Sequence, residues 1–299
     1  MDAEARKLNG ARAGVPVRHM DFVHPAEKPR FFFYDQNPLA TSLFAVFSAI
    51  FPPGERFFVE SVRRFRDQLT DETLRAKVSG FIGQESIHGR EHERLNEWFV
   101  AHGFDMAMPD RMIRFSLGLL ERLPASQQLA CTTFMEHFTA HLAEAWLTDT
   151  RFRTGADPEM LRLWSWHALE ELEHKEVAFD VHREVSRHEH LERVLAGPLV
   201  IAALFPGIAF SLVWLVVKQG EAFSIREHLR GLGALLGRKG FLTNILPKMP
   251  AFMKTRFHPD EHDTRAIEKE WRERLFGAGG ELNAMFRNRE AVERAAASA

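Results

Sequence analysis

The stretch GQESIHGREHERLNEWF, residues 83–99, places Glu85, His88 and His92 at i, i+3 and i+7. On an α-helix these three side chains share one stripe. Phe81, Ile82 and Ile87 mark an apolar face, and Glu85 and His88 lie beside it. Charged groups that point into a helical core must be paired or coordinated. A second stretch, HALEELEHKE at residues 167–176, repeats the pattern with Glu171 and His174.

Working outward, the apolar periodicity and the turn residues predict helices on either side of both motifs. PLATSLFAVFSAIF (38–51) reads as a short apolar helix, PPGE (52–55) as a stop with a fresh start, and a further helix runs to about Gln68. Thr70 or Asp71 caps the next helix, expected from about Glu72 to Ala101 and ended by Gly103. A third runs from about Gln127 to Thr148, the turn 149–160 carries Gly155 and Pro158, and a fourth runs from about Glu159 to Arg187. Strand alternation and hairpin dipeptides are scarce before residue 190. The expected fold is all-α: a four-helix bundle with a long crossover through 104–126, plus C-terminal apolar and amphipathic helices. The expected divisions are an irregular lead-in at 1–36, the metal-binding bundle at 37–190, a helical extension at 191–276 and a tail at 277–299.

Two Glu-x-x-His motifs on two helices, each joined by a single Glu from another helix, form the ligand set of dinuclear iron or manganese carboxylate bundles. The single glutamates follow from hairpin symmetry, because residues equidistant from a short turn sit at one height. Glu85 lies about 15 residues past the turn near residue 70, and its mirror is Glu55. Glu60 would sit about 7 Å lower and is the second choice. Glu171 mirrors across the 149–160 turn onto Glu136, whose face carries the small residues Thr132, Ala140 and Ala143. The expected metal ligands are therefore Glu55, Glu85, His88, Glu136, Glu171 and His174. They would hold two divalent ions, iron favoured, with manganese or zinc as alternatives for a donor set of nitrogen and oxygen. His92 and His167 fall at one end of this set and are expected as acid/base groups or extra ligands. His137 and His141, offset from the Glu136 face, are expected as polar residues at a helix edge. Glu170 and Glu173 are expected to face solvent or ion-pair partners.

FPPGERFF, FIGQESIHGREHERLN, MEHFTAH and WHALEELEHKEVAFD resemble the bacterial family described as predicted metal-dependent hydrolases, placed with the ferritin-like superfamily. The resemblance covers roughly residues 35–260. It favours Glu55 over Glu60, because Glu55 falls inside a matching motif.

Composition bounds the partners. The 299 residues are 45% hydrophobic, enough for a sizeable core. A net charge of −2 argues against a nucleic-acid binder. One cysteine, Cys131, excludes an internal disulfide or a cysteine-rich metal site. The first residues show no apolar run of a secretory leader, so a cytoplasmic location is expected, with attachment to the inner face of the membrane left open. Leu199–Val217 is uncharged and just long enough to span a bilayer; a buried helix is the competing reading. Pro206–Gly207 allows a kink or a re-entrant hairpin, and the basic segment after 217 suits anionic lipid. A homo-oligomer also stays open.

Three functions compete. Oxygen-activating oxidoreductase chemistry on a small hydrophobic or lipid-like substrate is favoured by the ligand pattern. Hydrolysis by a metal-bound hydroxide is the first alternative. Non-catalytic iron binding or storage is the second.

Overall fold

The computed structural model describes residues 8–24, 31 and 33–287, without the side chain of Phe152. The described residues form α-helices and short 3-10 turns with no strand; one isolated bridge joins Met20 to Phe286. The fold is all-α. Much of the expected lead-in at 1–36 is described and is irregular. Of the expected tail, 277–287 forms turns and residues 288–299 lie outside the described residues.

The first helix, α1, runs unbroken over Pro38–Arg63, with the Asn37 side chain capping Ala40 N. This corrects the expected stop at Pro52. Proline lacks the N–H that would reach back four residues, and the carbonyl left bare is that of Ser48. Asn96 Nδ2 on the neighbouring helix donates to it at 3.0 Å. A side chain from another helix thus repairs what proline removes, which local sequence cannot show.

Helix α2, Glu72–Ala101, starts at an Asp71 cap, and Gly103 follows it at φ +85°. The crossover at 104–126 holds a helix of its own, α3, Ala107–Leu120. Helix α4 spans Ala125–Thr148, and the short α5, Thr150–Thr154, fills the expected turn. The expected fourth helix divides at Lys175–Glu176 into α6, Pro158–His174, and α7, Val177–Val185. Beyond it come α8, Glu189–Lys218, α9, Ile225–Leu236, and α10, Arg265–Phe276.

Helix α1 packs on α2 and α4 packs on α6, with further contacts of α1 to α4 and of α2 to α6 and α7. Two apolar clusters form between these helices. One gathers Phe44, Leu95, Trp146 and Trp164; the other gathers Phe57, Phe81, Leu129 and Val181. Each of α1, α2, α4 and the α6–α7 pair contributes to both clusters. The Glu and His motifs fall on the stretch between them. The polar belt is therefore sandwiched by two aromatic-rich layers that seal it from water.

Helix α8 is continuous through Pro206, which corrects the re-entrant hairpin, and it is only partly covered, which corrects the fully buried helix. It is the one helix among the described residues long and apolar enough to cross a membrane, with 39% of its most apolar window buried. Ala196, Val200, Leu204, Gly207, Ser211 and Leu215 face the protein. Gly207 lets α8 lie against α3, since a Cβ there would stand 2.9 Å from Ser116 Oγ. Ile201, Phe205, Val213 and Val217 face outward and are more than half exposed.

Candidate metal centre

The structure brings Glu55, Glu85, His88, Glu136, Glu171 and His174 together, all buried. Glu60 is not among them: it is exposed on the outer side of α1 and pairs with Arg63 at 2.9 Å. Two triads could each hold an ion: Glu55, His88 and His167, and Glu85, Glu171 and His174. Glu171 stands between them. Its Oε1 lies 2.9 Å from His167 Nε2 and 3.8 Å from His88 Nδ1, while its Oε2 lies 3.8 Å from His174 Nε2. His174 Nε2 also faces Glu85 Oε1 at 3.0 Å and Glu136 Oε2 at 3.4 Å. Helix packing is tight here: a Cβ on Gly89 would stand 3.1 Å from Glu55 Oε2.

The outer nitrogens of both motif histidines are tied down. His88 Nε2 is 3.0 Å from Glu170 Oε2, and His174 Nδ1 is 2.9 Å from Gln84 Oε1. Glu170 is buried, not solvent-facing, and accepts from Arg18 Nη1 at 2.8 Å. Arg18 also donates to Glu173, which Arg272 binds from the other side. Glu170 and Glu173 are thus ion-paired as expected, but inside the protein. Arg18 arrives because the lead-in lies in a groove of α2 floored by Gly80 and Gly83, where added Cβ atoms would strike Val15 and Val17. Sequence spacing missed Arg18 and Gln84; the only local hint was two glycines inside a helical pattern.

His92 and His167 do fall at the same end. His92 Nε2 is 2.8 Å from His167 Nδ1, and His92 Nδ1 is 3.0 Å from Ser48 Oγ. His167 therefore touches the carboxylates, whereas His92 stands one residue further out. Phe51 packs on both rings.

A family model described as predicted metal-dependent hydrolase matches residues 16–263. The chain belongs to this family. The match runs over both Glu-x-x-His motifs and the whole buried cluster. The comparisons with curated proteins and with solved structures found no match.

The metal that the family description implies can be tested against the residues present. Both oxygens of Glu55, with Glu85 Oε2, Glu136 Oε1, Glu171 Oε2 and His88 Nδ1, are buried without a hydrogen-bond partner. Such groups are costly unless something coordinates them. Burial first, then the neighbouring carboxylates, push Glu55 well above the ordinary carboxyl value. Burial likewise raises Glu136, to about 7. Burial opposes charge on His174, yet Glu136, Glu171 and Glu85 together hold it well above the ordinary imidazole value. The protein has gathered more negative charge than its own cations offset at this point, and divalent ions would supply the difference. The residues fit metal.

Proposed function

We propose that this chain is a dinuclear metal enzyme of ferritin-like, di-iron carboxylate type, with oxygen activation favoured, acting on a small hydrophobic or lipid-like substrate. The observation that carries the reading is the set of unpartnered donor atoms facing one another around Glu171. Glu55, His88 and His167 would hold one ion, Glu85, Glu136 and His174 the other, and Glu171 would reach both. When bound, such ions supply Lewis acidity and, if iron, electrons for oxygen chemistry.

The chain's own residues set the conditions. Gln84 and Glu170 orient the His174 and His88 rings, so that His174 Nε2 and His88 Nδ1 face inward. His167 and His92 form a hydrogen-bonded pair leading to Ser48 Oγ, a route by which a proton can be held or passed at His167 Nδ1. Phe44, Phe51, Trp164, Ala143 and Ala168 line a cavity of about 30 Å³ that ends on His167 and Glu171. Its walls are almost wholly apolar, and it admits only a small molecule such as oxygen or water.

Hydrolysis is the second reading, supported by the family description. The exposed apolar face of α8, with Lys218 at its end and Arg226 beyond, supports docking on an anionic membrane surface at the cytoplasmic side.

Metal content by plasma mass spectrometry, on wild type beside Glu85→Ala and His174→Ala, tests the centre. About two irons or manganese per chain, lost in both variants, supports it. Absence of stoichiometric metal in wild type overturns it. Oxygen uptake with a reductant, set against anaerobic ester turnover, separates the two chemistries.

A further inference from the structure

A second cluster of metal-type donors lies on the opposite side of α4. His137, His141 and Glu144 stand at i, i+4 and i+7, so they share a helix face, and Glu136 points away from them into the buried centre. The sequence pattern alone had suggested polar residues at a helix edge. Instead both imidazoles are buried, each 6% exposed, and they form one wall of a cleft of about 320 Å³. His262, from the loop after α9, completes the group. Its Nε2 lies 2.9 Å from Glu144 Oε2, and His141 Nδ1 lies 3.4 Å from the same oxygen. The three ligand atoms lie within 4.8 Å of one another.

We propose that His141, Glu144 and His262 form a separate mononuclear site for a zinc-class divalent cation, open towards this cleft. Two imidazoles and one carboxylate with a fourth position free is a donor set of catalytic zinc. Several features of the cleft point the same way. Glu144 Oε2 is the point on which His141, His262 and Lys248 all converge. His137 Nε2 is buried with no partner, and its ring lies 4.6 Å from that of His141. A bare, buried imidazole nitrogen on the same helix face is a polar atom that the protein leaves unsatisfied. The loop carrying His262 is pinned, because Lys175 Nζ donates to His262 O at 2.8 Å and to Thr264 Oγ1 at 2.7 Å.

Lys248 Nζ stands at 2.5 Å from Glu144 Oε2, where a cation would bind. Its side chain is 37% exposed, so it has room to swing into solvent. Lys248 thus acts as a built-in competitor whose departure opens the site. The metal would exchange one partly exposed ion pair for another, with no unpaired charge left behind.

The test uses the full chain, stripped of metal and titrated with zinc against a chromophoric chelator. His262→Ala is the main variant, because His262 is 45% exposed on a loop and its loss leaves the core intact. Wild type should bind about one zinc per chain more than His262→Ala and Glu144→Gln, and Lys248→Ala should bind that ion more tightly. A Glu85→Ala/His174→Ala double variant should retain it, which separates this site from the buried centre. Equal stoichiometry and affinity in wild type, His262→Ala and Lys248→Ala would overturn the proposal, as would loss of all zinc in the double variant.

Discussion

Gln84 Oε1 holds His174 Nδ1 at 2.9 Å, one helix fixing the ring of another. The Gln84 amide is itself oriented, because its Nε2 donates to Pro16 O at 3.0 Å and approaches Glu173 Oε2 at 3.3 Å. With Nδ1 engaged, only Nε2 of His174 is left for the carboxylates. Such partners of a ligating histidine are worth about 10–100-fold in metal affinity. Gln84→Leu should weaken metal binding by about that factor while circular dichroism stays unchanged. Full affinity in the variant would mean that the ring is held by packing against Phe81 alone.

Metal and pH are coupled through the raised carboxyls. Burial above all pushes Glu136 from an ordinary value of 4.5 up to about 7. Between those values the folded, metal-free protein keeps a proton that the unfolded chain has released. Its stability therefore falls as pH rises through this window. Glu55 and Glu85, raised the same way, carry the loss to higher pH. Bound cations remove the penalty but must displace those protons. The gain in Tm on adding metal should be larger at about pH 8 than at about pH 5, measured by calorimetry on stripped protein. An equal gain at both would place the metal elsewhere.

The repair of α1 can be tested apart from any metal. Asn96→Ala strips the Ser48 carbonyl of its donor at a position where Pro52 supplies none. The expected cost is about 1–3 kcal/mol, read from denaturant unfolding. Because Ser48 Oγ also meets His92, the same variant should disturb the far end of the histidine pair.

The outward face of α8 gives a fourth expectation. Phe205 is 64% exposed and Val213 62%. A Phe205→Asp/Val213→Asp variant should stay folded and lose co-flotation with vesicles containing anionic lipid. Co-flotation that survives in the variant, or is missing in wild type, rules out this face as the contact.

Much of the polar belt could be read from spacing, because i and i+3 positions on a helix must converge and hairpins mirror heights about their turns. Glu55 and Glu136 were located that way, and the structure sets them beside Glu85 and Glu171. What spacing could not reveal depends on distant chain. Arg18 meets Glu170 across 152 residues, and Asn96 meets Ser48 across 48. The division of the last site helix at Lys175–Glu176 has no glycine or proline to announce it. His262 joins His141 and Glu144 only through a loop fastened by Lys175, so periodicity within α4 left His137 and His141 looking like polar residues at a helix edge.

Residues 8–24 lie along the molecule like a strap fastened at several points. Val15 and Val17 seat on the two glycines, and Arg18 passes through to Glu170, which in turn touches His88. Tension or truncation at that end would be transmitted to a ligand of the buried centre through just two side chains. A purification handle placed just ahead of this strap would not be a neutral choice.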